Sequence, residues 1–216
     1  MAQLFPRWAN SAVRAVLIVS AALLFGLPIA LLAWTRTPAA TGQYAVVPQP
    51  IPFSHPLHAG ALQIDCRYCH AGAQRSAMAG LPPTRACVGC HSALWLSSAP
   101  FEPVRRSIQQ STPIPWRRVT AMPDFVFFNH AVHTRKGVGC ESCHGRVDLM
   151  PQVYQSMPLT MGWCLECHRA PERYVRPVEA VTQMGWQAAA DQDTQGRTLV
   201  MRYHVRPMTT CTSCHR

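Results

Sequence analysis

All ten cysteines of this chain lie in five copies of one motif, Cys-x-x-Cys-His, which begin at Cys66, Cys87, Cys140, Cys164 and Cys211. The two thiols of such a motif can add across the vinyl groups of a haem, and the adjacent His can then bind the iron. A single copy could also be half of a zinc site or a redox dithiol. Because every one of the five copies ends in His, the sequence predicts a c-type cytochrome with five covalently bound haems c.

The predicted attachment residues, which would form thioether bonds, are Cys66, Cys69, Cys87, Cys90, Cys140, Cys143, Cys164, Cys167, Cys211 and Cys214. The predicted proximal iron ligands are His70, His91, His144, His168 and His215. The histidines outside the motifs, which are the predicted distal ligands, are His55, His58, His130, His133 and His204. Since five spare imidazoles match five irons, we expect two His ligands on every iron and no catalytic residue in this chain. A Met near a motif could replace one of them, the candidates being Met78, Met157, Met161 and Met208.

The chain contains an internal duplication. The stretch Phe53-Ser-His-Pro-Leu-His58 precedes two motifs, and Phe128-Asn-His-Ala-Val-His133 precedes the next two. We expect the first His of each stretch, His55 or His130, to bind the haem of the motif that follows it. The second His should bind another haem, because two His residues one turn apart cannot easily reach one iron from the same side. A truncated third unit has one spare His before its motif.

The duplication and the composition together predict a domain organisation. A membrane anchor (1–36) precedes a haem domain (37–216), whose haem units span residues 45–96, 120–170 and 201–216. Four prolines between Ser97 and Val119 predict an extended connector over 97–119. Residues 171–200 carry no motif, and we expect them to be an insertion that binds a partner protein.

The anchor is predicted from an uncharged apolar run of 20 residues, Ala15 to Trp34, which is long enough to cross a bilayer. Arg7 and Arg14 precede the run and Arg36 follows it, so the positive-inside bias favours a cytoplasmic N-terminus. We therefore expect a single-pass protein of the bacterial cytoplasmic membrane, with its haem domain on the periplasmic side, where haem c is attached. The alternative is a cleaved signal peptide, whose apolar region is normally shorter. Gly26 and Pro28 predict a bend within the helix.

About 180 residues outside the membrane are too few to build five separate cores, so the porphyrins themselves would form the apolar interior. Nineteen prolines, twelve glycines and little alternating hydrophobicity favour loops over strands. We expect a mostly α fold with extensive irregular loops and short helices at the motifs. The predicted fold is a class III-like multihaem cytochrome c wrapped around five haems, plus one N-terminal transmembrane helix.

The formal charge of the protein is +10, and Lys136 is the single Lys beside nineteen arginines. Five haems would bring about ten propionate carboxylates, which Arg pairs well because its planar fork matches a carboxylate. This balance explains the basic composition, together with some attraction to anionic membrane lipid. Nucleic acid is not a predicted partner, because basic and aromatic residues are not interleaved.

Four stretches resemble the pentahaem cytochrome subunit of alternative complex III: Ala79–Cys87, Met122–His130, Gly137–Val147 and Met157–Arg169. The resemblance spans nearly the whole chain, from the N-terminal anchor to the last motif. It implies a quinol-oxidising bacterial membrane complex with polytopic quinol-binding subunits, an iron–sulfur subunit and a monohaem cytochrome. In such a complex this subunit would relay electrons to a periplasmic acceptor or a terminal oxidase.

Three other functions have related sequence patterns. A self-sufficient membrane-anchored multihaem quinol dehydrogenase has the same layout but needs a haem with an open or displaceable ligand. A multihaem nitrite-type reductase needs an open iron, often supported by Lys, and no motif here ends in Lys. The cytochrome subunit of a photosynthetic reaction centre uses mostly Met ligands, placed before each motif. The matched number of spare His residues argues against the quinol dehydrogenase, and the pattern of Met ligands before each motif is missing from this chain.

Overall fold

A computed structural model of the protein describes residues 4–215 and divides the chain into two compact units, Met1–Gly42 and Gln43–Arg216. Within the described part of the chain no β-strand forms. Isolated antiparallel bridges join Val46 to Tyr154, Val126 to His215 and Val138 to Val175. The expectation of a mostly helical chain with irregular loops is therefore confirmed.

The first unit is dominated by one apolar helical stretch, Ala9–Trp34, long and apolar enough to cross a membrane by length and composition. A signal sequence would have the same properties. The stretch consists of helix α1 (Ala9–Ala21), a π-helical turn (Ala22–Gly26) and helix α2 (Leu27–Trp34). The π-helical turn stands where a bend was predicted, directly before Pro28, whose ring cannot donate to the preceding turn. Helix α3 (Pro38–Thr41) follows.

The helices of the second unit are α4 (Cys66–Cys69), α5 (Thr84–His91), α6 (Glu102–Gln110), α7 (His130–Arg135), α8 (Cys140–His144), α9 (Met161–Arg169), α10 (Gln192–Arg202) and α11 (Cys211–Cys214). Each motif lies in or directly beside a short helix, as the sequence predicts. Side-chain oxygens of Asp65, Asn129 and Thr160 accept backbone N–H bonds at the N-termini of α4, α7 and α9.

The prediction of an extended connector over residues 97–119 is wrong, because helix α6 occupies its middle. Pro103 stands in the first turn of that helix, where its missing N–H would have no partner in any case. Val104 is buried on one face of α6 and forms a small apolar cluster with Ile51 and Ile114. Prolines therefore start a helix here and do not exclude one.

Residues 171–200 contain two 3₁₀ turns, Pro171–Arg173 and Val178–Ala180, followed by helix α10. Helix α10 continues to Arg202, so the predicted unit boundary between residues 200 and 201 falls inside a helix. Gly196 permits its close packing, because a side chain at this position would overlap the backbone carbonyl of Glu172.

Few apolar side chains are buried in the second unit, and the most completely buried are Val104, Val175 and Val181, each about 1% exposed. Large apolar residues within or beside the motifs instead lie at the surface, Tyr68, Val132 and Met161 among them. An interior this small cannot account for the stability of a domain of this length. The exposed apolar side chains around the motifs fit a chain that completes its interior with porphyrin rings.

Candidate functional site

The two repeats have the same ring geometry. The Phe53 ring lies edge-on to His55, with centroids 4.8 Å apart, and stacks on His58 at 4.4 Å. In the second repeat, Phe128 lies edge-on to His130 at 4.7 Å and stacks on His133 at 4.4 Å, and the interplanar angles agree within 2°. This Phe fixes the planes of both imidazoles. Sequence reasoning did not assign it a role, although its repeated position two residues before the first His was a visible signal.

Three motif histidines each face one spare histidine at nearly the same distance. The centroid separations and interplanar angles are 6.1 Å and 50° for His58–His91, 6.4 Å and 7° for His130–His144, and 6.1 Å and 68° for His133–His168. Two imidazoles bound to opposite sides of one iron have centroids about 6 Å apart, because each metal–nitrogen bond is about 2 Å long. Each pair therefore leaves room for one iron between its rings.

In six of the ten candidate His ligands, the Nδ1 atom lies within hydrogen-bond distance of a backbone carbonyl oxygen. The Nδ1 contacts are His58 with Ser54 (2.9 Å), His70 with Gly80 (2.9 Å), His91 with Leu94 (3.2 Å), His130 with Ala77 (2.9 Å), His133 with Asn129 (2.8 Å) and His215 with Phe125 (3.2 Å). A carbonyl can only accept, so Nδ1 carries the proton and the lone pair lies on Nε2. Such a contact orients a metal-binding imidazole and fixes its tautomer.

Burial favours the neutral form of three candidate ligands. Desolvation lowers the pKa of His144 to about 4, with a smaller contribution from His130. It lowers the pKa of His55 to about 4 as well, with a smaller contribution from His70. The pKa of His133 is also lowered by burial. Neutral imidazole is the form that binds a metal, so these rings are ready to bind at neutral pH.

The fifth motif is joined to the second repeat by backbone contacts. Phe127 donates its backbone N–H to the Cys214 carbonyl at 2.8 Å, and the His215 ring lies 5.8 Å from Phe125. His204 has a positive φ of 50°, and its carbonyl accepts a hydrogen bond from Lys136. No ring contact between His204 and His215 occurs in the described residues. The assignment of His204 to this motif therefore stays a prediction.

The ten motif cysteines form no disulfide with one another, and several are partly buried. Burial raises the pKa of Cys143 to about 12 and that of Cys167 to about 11. A hydrogen bond that the Cys140 thiol donates to Cys66, together with burial, raises the pKa of Cys140. Within residues 4–215 no three or more His, Cys, Asp or Glu side chains converge. The paired imidazoles therefore suit a haem iron better than a four-coordinate zinc ion.

The four methionines considered as replacement ligands lie near motifs in the sequence. Met78, Met161 and Met208 are exposed, and Met157 is partly buried. The replacement of a distal His by one of them stays a prediction.

The two repeats pack against each other reciprocally. At the start of α7, His130 donates its N–H to Ala77 of the first repeat at 3.2 Å, and Thr134 donates its hydroxyl to Ala73 at 2.9 Å. In the opposite direction, the π-helical turn Pro56–Ala61 packs on the 3₁₀ turn Val147–Leu149. Each paired-histidine segment therefore rests on the loop that follows the first motif of the other repeat.

Comparison with known proteins identifies a domain type. Residues 132–216 match the profile of the family described as cytochrome c3. This part of the chain is a cytochrome c3-like multihaem domain, and the family binds haem c covalently.

The chain is also similar to the protein named "Menaquinone reductase, multiheme cytochrome c subunit" from Nitratidesulfovibrio vulgaris (strain Hildenborough). The two are 37% identical over 103 residues, a region that covers 47% of this chain and 48% of that protein. The alignment thus spans about half the length of that relative.

Proposed function

We propose that this chain is the electron-carrying pentahaem cytochrome c subunit of a membrane-bound, quinone-linked oxidoreductase. The observation that carries the proposal is the set of three imidazole pairs at about 6 Å, each made of one motif His and one spare His. The exposed apolar side chains around the motifs support the same conclusion, because bound porphyrins would cover them.

The residues that would hold each haem follow from these pairs. One haem would be held by Cys87 and Cys90, with His91 and His58 as its iron ligands. A second would be held by Cys140 and Cys143, with His144 and His130 as its ligands. A third would be held by Cys164 and Cys167, with His168 and His133 as its ligands. By the repeat, Cys66 and Cys69 would act with His70 and His55. Cys211 and Cys214 would act with His215, and His204 is the proposed distal ligand. Haem c, when bound, supplies reversible one-electron chemistry at its iron.

The protein side chains then decide what the chain can do. Two imidazoles at each iron would leave no position for a substrate, so the chain would transfer electrons and would not carry out the chemistry of a small molecule. The Nδ1 contacts and the stacked Phe rings hold the imidazoles in place. A rigid ligand set of this kind suits electron transfer, because little has to move when an electron arrives.

The membrane assignment rests on the apolar stretch Ala9–Trp34. We propose that it is a retained anchor, that the haem domain faces the periplasm, and that membrane lipid surrounds the helix. The resemblance to alternative complex III supports polytopic quinol-binding subunits, an iron–sulfur subunit and a monohaem cytochrome as neighbours. Electrons would then run from quinol to a periplasmic acceptor or a terminal oxidase.

A second candidate function differs in the direction of electron flow. The similar protein from Nitratidesulfovibrio vulgaris is named as a subunit of a menaquinone reductase. If this chain works in that direction, a periplasmic donor would reduce its haems and menaquinone would be the final acceptor. The ligand set described above suits either direction.

The proposal is tested on the native assembly purified from membranes. Mass spectrometry of this subunit should show five haems attached, and low-temperature EPR should show only low-spin haem. Carbon monoxide should leave the spectrum of the reduced protein unchanged. A high-spin haem, or one haem altered stoichiometrically by carbon monoxide, would instead favour a self-sufficient quinol dehydrogenase with an open iron.

The direction of electron flow needs a separate measurement. The oxidised assembly is mixed with menaquinol or ubiquinol, and the reduced assembly with the corresponding quinone, and haem absorbance is followed in both. Fast haem reduction by quinol that requires the other subunits supports the quinol-oxidising function. Fast haem oxidation by menaquinone supports the second candidate. Equal rates with the isolated subunit would contradict the carrier role.

A further inference from the structure

Residues 176–186, here called the junction segment, contact the first and the third motif at the same time. The backbone N–H of Cys140 donates to the Val181 carbonyl at 2.8 Å. The next residue, Thr182, contacts the Cys66 thiol through its carbonyl at 3.9 Å and donates its hydroxyl to Asp65 at 2.8 Å. Two consecutive residues of this segment therefore bridge the leading cysteines of two different haem motifs.

Arg176 fixes the junction segment. Its side chain is 5% exposed, pairs with Glu141 at 3.0 Å and donates to the Gln183 carbonyl at 3.1 Å. Glu141 is a variable position of the third motif, and its carboxylate also accepts the backbone N–H groups of Gly185 at 2.6 Å and Trp186 at 3.2 Å. The guanidinium thus ties the end of the segment directly to helix α8.

The packing around Arg176 leaves little freedom. Its guanidinium lies 4.6 Å from the centre of the Trp186 ring, and a side chain at Gly139 would overlap it. The Nε atom is buried without a partner among the described residues. A buried charge is costly unless it is well paired, so an Arg held here indicates a need for a fixed position more than for stability.

The site contacts arrange the first four motifs in a row. His55 and His58 lie one turn apart and join the sites of Cys66 and Cys87, and His130 and His133 likewise join those of Cys140 and Cys164. The two repeats meet where the junction segment lies, so the order is Cys87, Cys66, Cys140, Cys164. The fifth motif packs beside the second repeat through the hydrogen bond from Phe127 to Cys214.

We propose that the junction segment, fixed by Arg176, is a positioning element that sets the separation of the first and third haem sites, which is the step of this row that joins the two repeats. The inference rests on the proposed function. Electron transfer slows exponentially as the distance between centres increases, so a clamp at the point where the two repeats meet protects the step that depends on their relative position. Arg176 and Thr182 act through the motifs, and neither binds a haem in this proposal.

The test uses the purified full chain with its haems. Arg176→Gln removes the clamp, Thr182→Val removes only the bond to Asp65, and Arg176→Lys keeps the charge. The matched control is Arg105→Gln, because Arg105 ties a different loop through the carbonyls of Leu96 (2.5 Å) and Ser98 (2.8 Å) near the second motif. The readout is a redox titration followed by paramagnetic NMR, which resolves the haems individually.

We expect Arg176→Gln to weaken the redox interaction between two of the five haems, those of His70 and His144, with a smaller effect in Thr182→Val and partial recovery in Arg176→Lys. Arg105→Gln should leave that interaction unchanged. If Arg176→Gln does not fold, Thr182→Val alone decides. No change at these two haems, or an equal change at all five, would overturn the inference. A parent protein with fewer than five haems would instead contradict the proposed function, which keeps the two failures distinct.

Discussion

The rings of His130 and His144 are parallel within 7°, whereas His133, one helical turn further on, faces His168 at 68°. Both spare histidines belong to helix α7 and both contact the same Phe128 ring. Because Phe128 meets one ring edge-on and the other face-on, the two imidazole planes differ in orientation. One aromatic residue thereby gives two neighbouring sites different ligand geometries.

This difference predicts distinct EPR signals. Parallel imidazole planes split the iron orbitals strongly and give a rhombic low-spin signal, whereas crossed planes give a more axial signal with a larger maximum g value. We expect a rhombic signal from the haem at Cys140 and axial signals from those at Cys87 and Cys164. His144→Met should remove the rhombic component specifically. Loss of an axial component instead would contradict the ring angles.

Replacing the shared Phe ring should affect two haems at once. Phe128→Leu removes the contacts with both His130 and His133, and aromatic contacts of this type are worth about 0.5–1.5 kcal/mol. We expect the free energy of unfolding to fall by about that amount and the EPR signals of the Cys140 and Cys164 haems to broaden or shift. Phe53→Leu is the matched control and should alter the haems at Cys66 and Cys87. A change confined to one haem in each variant would argue against the shared orienting role.

The ion pair at the first motif predicts a dependence of stability on pH. Hydrogen bonds from the Arg67 side chain lower the pKa of Asp65 to about 2, with a smaller contribution from Thr182. A carboxyl group whose pKa is lowered by folding stabilises the folded state at pH values above its ordinary pKa of about 4. This stabilisation is lost as the pH falls from about 4 to about 2. Since both side chains are partly exposed, Asp65→Asn should cost up to about 1 kcal/mol at pH 7.

Urea unfolding at several pH values measures this effect. The difference between the parent and Asp65→Asn should shrink below pH 4 and vanish near pH 2. Arg67→Gln should show the same pH dependence, because it removes the partner of the same carboxylate. A difference that stays constant down to pH 2 would show that the charge of Asp65 is not the cause.

His204 and Met208, which lie four residues apart, are the two candidates for the distal ligand of the fifth haem site. His204→Ala should convert one haem to a high-spin form that binds carbon monoxide, because the His215 ring has no imidazole partner other than this predicted one. Met208→Leu should leave all five haems low-spin. The opposite pattern would assign the site to Met208 and would raise the expected potential of that haem.

The N-terminal helix should be separable from haem binding. Residues from Gln43 onward form a compact unit of their own, and none of the candidate ligands precedes His55. Deleting residues 1–36 behind a cleavable export signal should leave five attached haems but weaken assembly into the membrane complex. Gly26 and Ser20 are the small residues that neighbouring helices could approach closely. Full recovery of the truncated chain in an active complex would show that the helix is only a tether.

The sequence predicted the short helices at the motifs better than it predicted the chain between them. The Cys-x-x-Cys-His pattern placed these helices, and the repeated stretches Phe53–His58 and Phe128–His133 predict a pairing of histidines that stays a prediction. Reasoning from proline content failed over residues 97–119, because proline excludes a helix interior but is well tolerated in a first turn. The contacts of Arg176 were not predictable, because nothing local distinguishes it from eighteen other arginines.

By itself the sequence determined the local chemistry: which thiols and imidazoles stand close enough along the chain to hold a haem, how often the unit repeats, and where an apolar helix forms. These properties depend on spacings of a few residues, which covalent geometry fixes. Only the tertiary structure decided which site lies beside which and that the repeats pack reciprocally. It also showed that Val181 contacts Cys140 and that Thr182 contacts Cys66, which lies more than a hundred residues earlier in the chain. Such contacts depend on the packing of distant segments, and no local pattern in the chain encodes them.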